Sequence, residues 1–555
     1  MPYKLFALIF LLLTIGCKKG TDEPAPPVEQ PRPFSYRTLQ VGSASASLLY
    51  HNVPVNVPIR ISFPLSLDPQ TVGSSVTIRD AAGTAVNANT TLQNGDSVLL
   101  IQPAAPLANL TKYSVAVSTS LRSKAKGSLQ SSINLTLVTA IDSTDKFPRI
   151  TDEALLTLVQ QQTFKYFWDF GHPVSGLARE RNTSGDIVTS GGSGFGLMAI
   201  VTGIHRNFIT RQQGFERVQK VVDFLQNKAQ KFHGAFPHWM NGSTGIVVPF
   251  SAKDNGADLV ETSFLMQGLL TARQYFNGSD TNESNLRQAI TALYNGVEWN
   301  WFRKADENLL YWHWSPEFGF DINLPIRGWN ECLITYVLAA ASPTHTIPKI
   351  VYDNGFAQNG AMKNGNIYYG VKLPLGPALG GPLFFSHYSF LGLDPNGLVD
   401  AYANYKEQNV AHSQINYNYS VTNPSGFNGY SSSVWGLTAS DNNLGGYSAH
   451  SPTNDLGIIT PTAAISSLPY TPDQSMEALR FFYYKLGDKL WKEYGFVDAF
   501  NLTDLWFANS FLAIDQGPII IMIENHRSKL LWNLFMSAPE VKSGLLKLGF
   551  QSPYL

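Results

Sequence analysis

Asp258-Leu259-Val260-Glu261-Thr262-Ser263-Phe264-Leu265-Met266-Gln267-Gly268-Leu269-Leu270 is the stretch on which the fold turns. It continues through Thr271 to Phe276 with apolar residues on nearly every face rather than along one stripe. A helix of that kind is buried all round, which places it inside a large helical domain. Asp258 and Glu261 are three residues apart and project from one side of its first turn. Two readings of the pair stand side by side. Asp258 is an N-cap with Glu261 as its reciprocal partner in a capping box, or the two are working carboxylates with Asp254 just upstream.

Further helical periods flank this stretch on both sides, from a segment at 151–168 that opens with a Thr151 cap and Asp152-Glu153 in the first turn. They fall at 195–206, 211–230, 257–276 and 285–303, then at 331–341, 398–411, 461–468 and 472–491, and last at 504–514, 519–535 and 539–548. About a dozen helices without regular strands between them exclude a parallel α/β sheet. No fixed-period repeat argues for a solenoid. A closed double ring of helices, an (α/α)6 barrel, is an arrangement that this pattern permits. The long Gly-, Asn-, Tyr- and Trp-rich loops between helices are of a length that is usually functional.

Upstream the character differs. Alternating runs at 57–63, 75–79, 97–101, 113–117 and 133–138, with turn signals at Asp80–Gly83 and Asn94-Gly95-Asp96, predict a small β-sandwich over 34–140. It has no Trp and no acidic or histidine cluster, so a spacer role is expected of it. At the start, Lys4 precedes an apolar run, Leu5–Leu13, that ends in Thr14-Ile15-Gly16-Cys17. This is the shape of a signal peptide over 1–17, and its end resembles a bacterial lipobox with Cys17 as the lipidated residue. Residues 18–33 then read as a flexible tether. The expected location is the cell envelope, lipid-anchored at the periplasmic face or the outer surface of the outer membrane. Only Cys332 remains in the mature chain, so no intramolecular disulfide forms.

The 555 residues carry a net charge of −1 with 15% charged residues, which argues against a nucleic-acid surface. All eleven Trp lie after residue 150. Many sit beside polar loop residues, as in Phe236-Pro237-His238-Trp239, Tyr311-Trp312-His313-Trp314 and Arg327-Gly328-Trp329-Asn330-Glu331. Aromatic faces stack on sugar rings while neighbouring polar groups take the hydroxyls. Glu331 opens a second apolar helical run and is the second acidic candidate. Its alternative is a first-turn carboxylate behind an Asn330 cap. Two carboxylate-headed helices under an aromatic mouth suit glycoside hydrolysis, which needs one protonated and one ionised carboxyl. No zinc-type spacing, HExxH, phosphate loop or nucleophile elbow is present, so no metal or other cofactor is expected. The Gly-rich Ser190–Gly196 reads as a loop packed tightly near a ligand.

Several blocks in order carry a family resemblance. They are Phe167–Phe170, Ser175–Arg181, Gly191–Met198, Asp258–Phe264, Trp312–Pro316, Gly328–Cys332, His387–Phe390, Trp435–Asp441 and Ile514–Pro518. Over about residues 150–555 the chain resembles the glucoamylase-like (glycoamylase) domain proteins of bacterial envelopes, especially the β-1,2-glucanases of glycoside hydrolase family 144. The resemblance implies an (α/α)6 barrel, preceded here by the bacterial immunoglobulin-like domain. It implies hydrolysis of β-1,2-glucan to sophorooligosaccharides, endo-acting and inverting, by a monomer that meets the membrane only through its lipid anchor. Carried over by position, Glu331 matches the general acid, and Asp258 and Glu261 match essential acidic residues beside Asp254. Water activation is expected on the Asp258/Glu261 side. Asp254, Arg179, Trp239, Trp314, Trp329, His387, Tyr388 and Trp435 are the expected substrate-binding residues. The alternatives are an exo-acting, sophorose-releasing enzyme, a transglycosylase on the same glucan, or a non-catalytic surface glycan-binding lipoprotein.

Overall fold

A computed structural model describes residues 31–45 and 47–555. The leader, Cys17 and the tether as far as residue 30 lie outside the described residues. The chain divides at Ala140/Ile141 into two compact units.

The first unit is a β-sandwich. Its strands in chain order are β1 (Thr38–Val41), β2 (Ala44–Ser45), β3 (Leu49–Val53), β4 (Ile59–Ser62), β5 (Val76–Asp80), β6 (Ala85–Val86), β7 (Ala88–Gln93), β8 (Val98–Pro103), β9 (Lys112–Val117) and β10 (Ile133–Thr139), with one short helix α1 (Pro69–Ser75). One sheet has the order β2-β1-β4-β8-β7 and the other β3-β10-β9-β5-β6. In the first, Ile59 and Ile61 of β4 lie opposite Ile101 and Leu99 of β8. All four are fully buried and face the same core as Ile78, Val115 and Leu137 of the second sheet. The period-2 alternation put these residues on one face of each strand, and two such faces bury each other.

The second unit is helical. Its helices are α2 (Asp152–Trp168), α3 (Ser190–His205), α4 (Arg211–Asn227), α5 (Leu259–Tyr275), α6 (Thr281–Asn295), α7 (Leu333–Ala341), α8 (Lys349–Asn354), α9 (Tyr405–Thr422), α10 (Pro461–Ser466), α11 (Pro472–Tyr484), α12 (Gly487–Leu490), α13 (Ala513–Ser528), α14 (Leu530–Ser537) and α15 (Pro539–Leu548). Buried and amphipathic helices alternate along the chain. α3, α5, α7, α10 and α13 are buried over almost their whole length. α4, α6 and α11 bury one side only. The buried set forms an inner ring, with α5 against α3 and α7, and α13 against α3 and α10. The ring is closed by 3-10 turns at Leu383–Ser386 and Ser389–Leu391 in place of a sixth inner helix. Ser389 accepts from the N–H of Ile334 in α7, and His387 bonds Ser467 just after α10. This is the (α/α)6 barrel, preceded by an immunoglobulin-like domain.

Every inner helix enters the ring at the same end, because each follows a long loop that returns from an outer helix. Those loops gather into one mouth, and the positive ends of the inner helices point at it.

Several expected boundaries shift. The Gly-rich Ser190–Gly196 is not a loop but the first two turns of α3. A Cβ on Gly194 would stand 2.0 Å from the carbonyl of Phe264, and one on Gly268 2.0 Å from that of Gly194. These glycines let α3 and α5 cross at backbone contact, which outweighs their poor helix propensity. The segment expected helical at 504–514 is a tight hairpin, Phe500–Asn501 with Trp506–Phe507. The helix expected at 398–411 begins at Tyr405, behind the Asn404 cap. Glu331 stands two residues ahead of α7 rather than in its first turn, on an Asx turn in which Asn330 accepts from the N–H of Cys332.

Candidate active site

Asp258 is the N-cap of α5, its Oδ1 accepting from the backbone N–H groups of Val260 (3.0 Å) and Glu261 (2.9 Å). Half of the capping-box alternative therefore holds. Glu261 does not reciprocate. Its Oε2 takes the N–H of Gly191 at the start of α3 (2.7 Å) and the hydroxyl of Thr189 (3.1 Å), tying two inner helices together at the mouth. The N–H of Asp258 is used by the carbonyl of Phe236.

The other oxygen of Asp258 is just as fully engaged. Oδ2 accepts from the indole N–H of Trp312 (3.2 Å) and lies 3.2 Å from Nδ1 of His238 and 3.5 Å from Nε2 of His313. The same Nε2 is 3.3 Å from Asp254. A two-residue pairing of Ala257-Asp258 with His313-Trp314 brings the loop at 296–332 onto the start of α5. Burial alone would raise the Asp258 carboxyl, but hydrogen bonds from His238 and His313, with their positive charge, hold it well below the ordinary range. His238 responds in kind. Burial opposes its charge, yet Glu261 and Asp258 push it up to about 9. Asp254 moves the other way, up to about 6, through burial and the repulsion of Asp258. Glu261 is also raised by burial, against the pull of His238. His238, Asp254 and Asp258 each offer a donor atom within 4.8 Å of the others, the spacing of a three-ligand metal site. Those atoms already neutralise one another as imidazolium and carboxylate, and Asp258 has no lone pair left over.

Glu331 is the contrast. It is part-buried, and among the described residues no side chain and no backbone group other than its own N–H bonds its carboxyl. Burial raises it to about 7, the nearby charges of Asp258 and Glu261 adding to the effect. Its backbone is fixed instead, the carbonyl accepting from Ser389. A free carboxyl that stays protonated near neutrality is what proton donation to a leaving oxygen requires.

A second acidic group, not singled out from the sequence, lies across the mouth. Arg181 pairs with Glu180 (2.9 Å) and Asp441 (3.2 Å). Ser510 donates to Asp441 (2.6 Å), and the N–H of Asp441 donates to Asp498 (2.8 Å). Behind them Asp498 and Asp515 are 1% and 2% exposed. Both oxygens of Asp515 and Oδ1 of Asp498 are buried with no donor from other residues. Burial raises both; the charge of Asp498 adds to the rise of Asp515, whereas Asp515 as a donor works against the rise of Asp498, so the pair holds a proton on the Asp515 side. In front lies a cavity of about 580 Å³ lined by Arg181, Asp441, Tyr447, Trp506 and Ser510, among others. Tyr388 lies within electrostatic reach of both groups: burial raises its hydroxyl, and the charges of Asp515, Glu331 and Glu261 add to the rise.

The expected substrate-binding residues divide. Trp239 and Trp314 are partly exposed at the mouth, beside His238 and His233. Tyr388 is held in the inner ring by Phe384 and Phe195. Three others are corrected to core. Trp435 is fully buried with its indole N–H on the carbonyl of Gln474. Trp329 packs on Tyr405 and Phe390. His387 stacks on Tyr470 and bonds Ser467, and burial brings it down to about 3, so it stays neutral. Apolar rings in a barrel of this size are more often filler than platform, and loop position alone did not separate the two. Arg179 packs over Phe170; it is the neighbouring Arg181 that faces the acidic wall.

Comparison with known proteins agrees with this architecture. A family model described as "Putative glucoamylase" matches residues 323–539, and a bacterial Ig-like domain model matches 37–139. The endo-β-1,2-glucanase of Chitinophaga pinensis, solved with sophorotriose and glucose, is 52% identical over 73% of this chain and all of its own, with a TM-score of 0.72. A β-1,2-glucanase from Parabacteroides distasonis is 40% identical over 94% of this chain and 74% of its own, with a TM-score of 0.70. An exo β-1,2-glucooligosaccharide sophorohydrolase (non-reducing end) from Parabacteroides distasonis is 49% identical over 72% of this chain, which spans 58% of that relative's length. The chain belongs to the bacterial glucoamylase-like proteins of glycoside hydrolase family 144.

Proposed function

We propose that this protein hydrolyses β-1,2-glucan, with Glu331 as the general acid. The observation that carries the reading is the Glu331 carboxyl, free of other residues' hydrogen bonds and raised to about 7 within a mouth of ionised groups. It gives its proton to the glycosidic oxygen as the bond to the anomeric carbon breaks, and water adds to that carbon. Asp258 is a poor base, since its donors must all be given up before it takes a proton. Its part, with Glu261, is to fix the mouth and hold negative charge beside the developing oxocarbenium ion. The carboxylate that receives the proton of the attacking water is better supplied from the opposite wall, by the Asp498/Asp515 pair, three of whose four oxygens lack competing donors. Acid and base on facing walls suit inversion.

Endo action is the finer reading, supported by the Chitinophaga pinensis enzyme, whose whole length this chain covers at 52% identity. Exo action is the second reading, favoured by the sophorohydrolase relative. We further propose that Cys17 anchors the protein at the cell envelope, on the strength of the Thr14–Cys17 pattern. The test is to incubate residues 34–555 with linear β-1,2-glucan and, separately, with β-1,3-glucan, β-1,4-glucan and starch, following products over time. Early mid-length oligosaccharides from the β-1,2 polymer alone support endo action. Sophorose from the first time point overturns it in favour of exo action, and no product from any polymer overturns the hydrolase reading.

A further inference from the structure

Trp301 was not singled out in the sequence, and its surroundings are unlike those of a core tryptophan. It lies in the 3-10 turn Trp299–Arg303 on a mouth loop and is 43% exposed, while Trp299 two residues earlier is fully buried. One face of its indole is covered by the imidazole of His233, from the neighbouring mouth loop, with ring centroids 3.8 Å apart and planes within 13°. His233 is fixed in turn by Glu298, its Nδ1 2.9 Å from the carboxylate, and by edge-on contact with Trp314 at 4.7 Å. The backbone N–H of Glu298 donates to the carbonyl of His233 (2.9 Å), so the two loops hold the stack from both sides. Among the described residues no second ring stacks on Trp301.

A scattered exposed aromatic needs no explanation. A large ring held flat by a neighbour fixed through a hydrogen bond, yet 43% exposed, has been pre-organised at a cost in exposed apolar surface. The stack also has a direction. Trp314 is the register partner of Ala257, next to Asp258, and the Trp301 and Trp314 ring centroids are 6.4 Å apart. Trp314, His233 and Trp301 therefore form one contiguous aromatic run carried by the loops at 228–258 and 296–332, beginning one residue from Asp258. At the inner end, Phe250 repeats the arrangement. It is 50% exposed and stacks at 4.3 Å on His238, whose Nδ1 lies 3.2 Å from Asp258.

We propose that Phe250 and Trp301 are two sugar-stacking platforms of one track, Phe250 beside the scissile linkage and Trp301 at a distal subsite that engages only glucan long enough to reach it. The proposal rests on the β-1,2-glucan reading above. It makes Trp301 a determinant of chain-length preference, since an apolar indole face binds the C–H face of a glucosyl unit whatever its position in the chain. His233 behind the indole keeps the plate from collapsing onto Trp314 when no sugar is present.

The experiment compares Trp301→Ala with the parent on a ladder of β-1,2-linked glucooligosaccharides and on the polymer. KM is expected to rise roughly threefold to tenfold on the polymer, as loss of one stacking contact predicts, with kcat retained. The effect should shrink steadily toward the shortest oligosaccharide cleaved. Trp301→Phe, which keeps a stacking face, is expected to recover most of the affinity and guards against a folding defect. A change of equal size at every chain length, or none at any, overturns the platform. A parent enzyme that cleaves no β-1,2-glucan overturns the underlying substrate reading, an outcome seen in the control arm alone.

Discussion

Replacing Glu331 by Gln removes one ionisation and almost nothing else, because no other residue's hydrogen bond to the carboxyl is lost and the volume is nearly unchanged. The carboxyl moves from an ordinary 4.5 to about 7 on folding, which at about 1.4 kcal/mol per pH unit makes the charged form roughly 3 kcal/mol unfavourable. The folded state prefers the protonated group, so no stability is lost below pH 4.5. The loss grows as pH rises from 4.5 and is complete above 7. At pH 5 it is roughly 1 kcal/mol and at pH 8 roughly 3 kcal/mol by the same linkage. Glu331→Gln should therefore melt above the parent at pH 8 by more than it does at pH 5. For a domain of this size the extra gain is about 2–4 °C, from the usual fall in Tm change per kcal/mol with chain length. In the same preparation, turnover of β-1,2-glucan should fall by at least about 100-fold, the usual worth of a general acid. Thermal melts at the two pH values and single-substrate kinetics decide it. An offset in Tm that is the same at pH 5 and pH 8 refutes the buried, raised carboxyl. A variant that turns over within tenfold of the parent refutes its role as acid.

Asp515→Asn is expected to stop turnover while leaving Tm equal to or above that of the parent, because it removes one of two carboxyls crowded together in burial. Activity within tenfold of the parent would remove Asp515 as the water-activating group. Gly191→Ala gives opposite signs for two accounts of the same residue. If Gly191 were simply a helical glycine, alanine would stabilise by up to about 1 kcal/mol. Its Cβ would instead stand 2.6 Å from Oε2 of Glu261 and displace the carboxylate from the Gly191 N–H. The expected result is a loss of about 1–3 kcal/mol in urea unfolding together with a lower kcat.

The helical domain was legible because its inner helices carry no polar face. Residues 259–273 and 333–341 carry apolar residues on nearly every face, which requires burial inside a large helical domain and permits a closed ring. Period-2 alternation likewise marked the strands that became β4, β5, β8, β9 and β10. Element ends were less legible. The signal for a helix at 504–514 was apolar spacing without a cap, and a tight hairpin accommodates the same spacing. Residues 190–196 looked like a loop from their glycines, whose meaning depends on α5 crossing at backbone contact.

Within the site, the carboxylates beside the apolar runs at 259–273 and 333–341 were legible in the chain, whereas Asp515 in the first turn of α13 was not. Asp258, Glu261 and Glu331 sit beside apolar runs whose burial is dictated locally, so their place at the mouth follows from the chain. Only the tertiary structure decided what each carboxylate is. Asp258 is held low by His238 and His313 against its burial, whereas burial raises Glu331 with no donor side chain to oppose it. The Asp498/Asp515 pair joins a loop residue to the first turn of α13, both far along the chain from the other carboxylates, and Trp301 differs from Trp435 only in what covers its faces. Charge state and exposure are properties of surroundings assembled from distant parts of the chain, and local pattern carries no record of them.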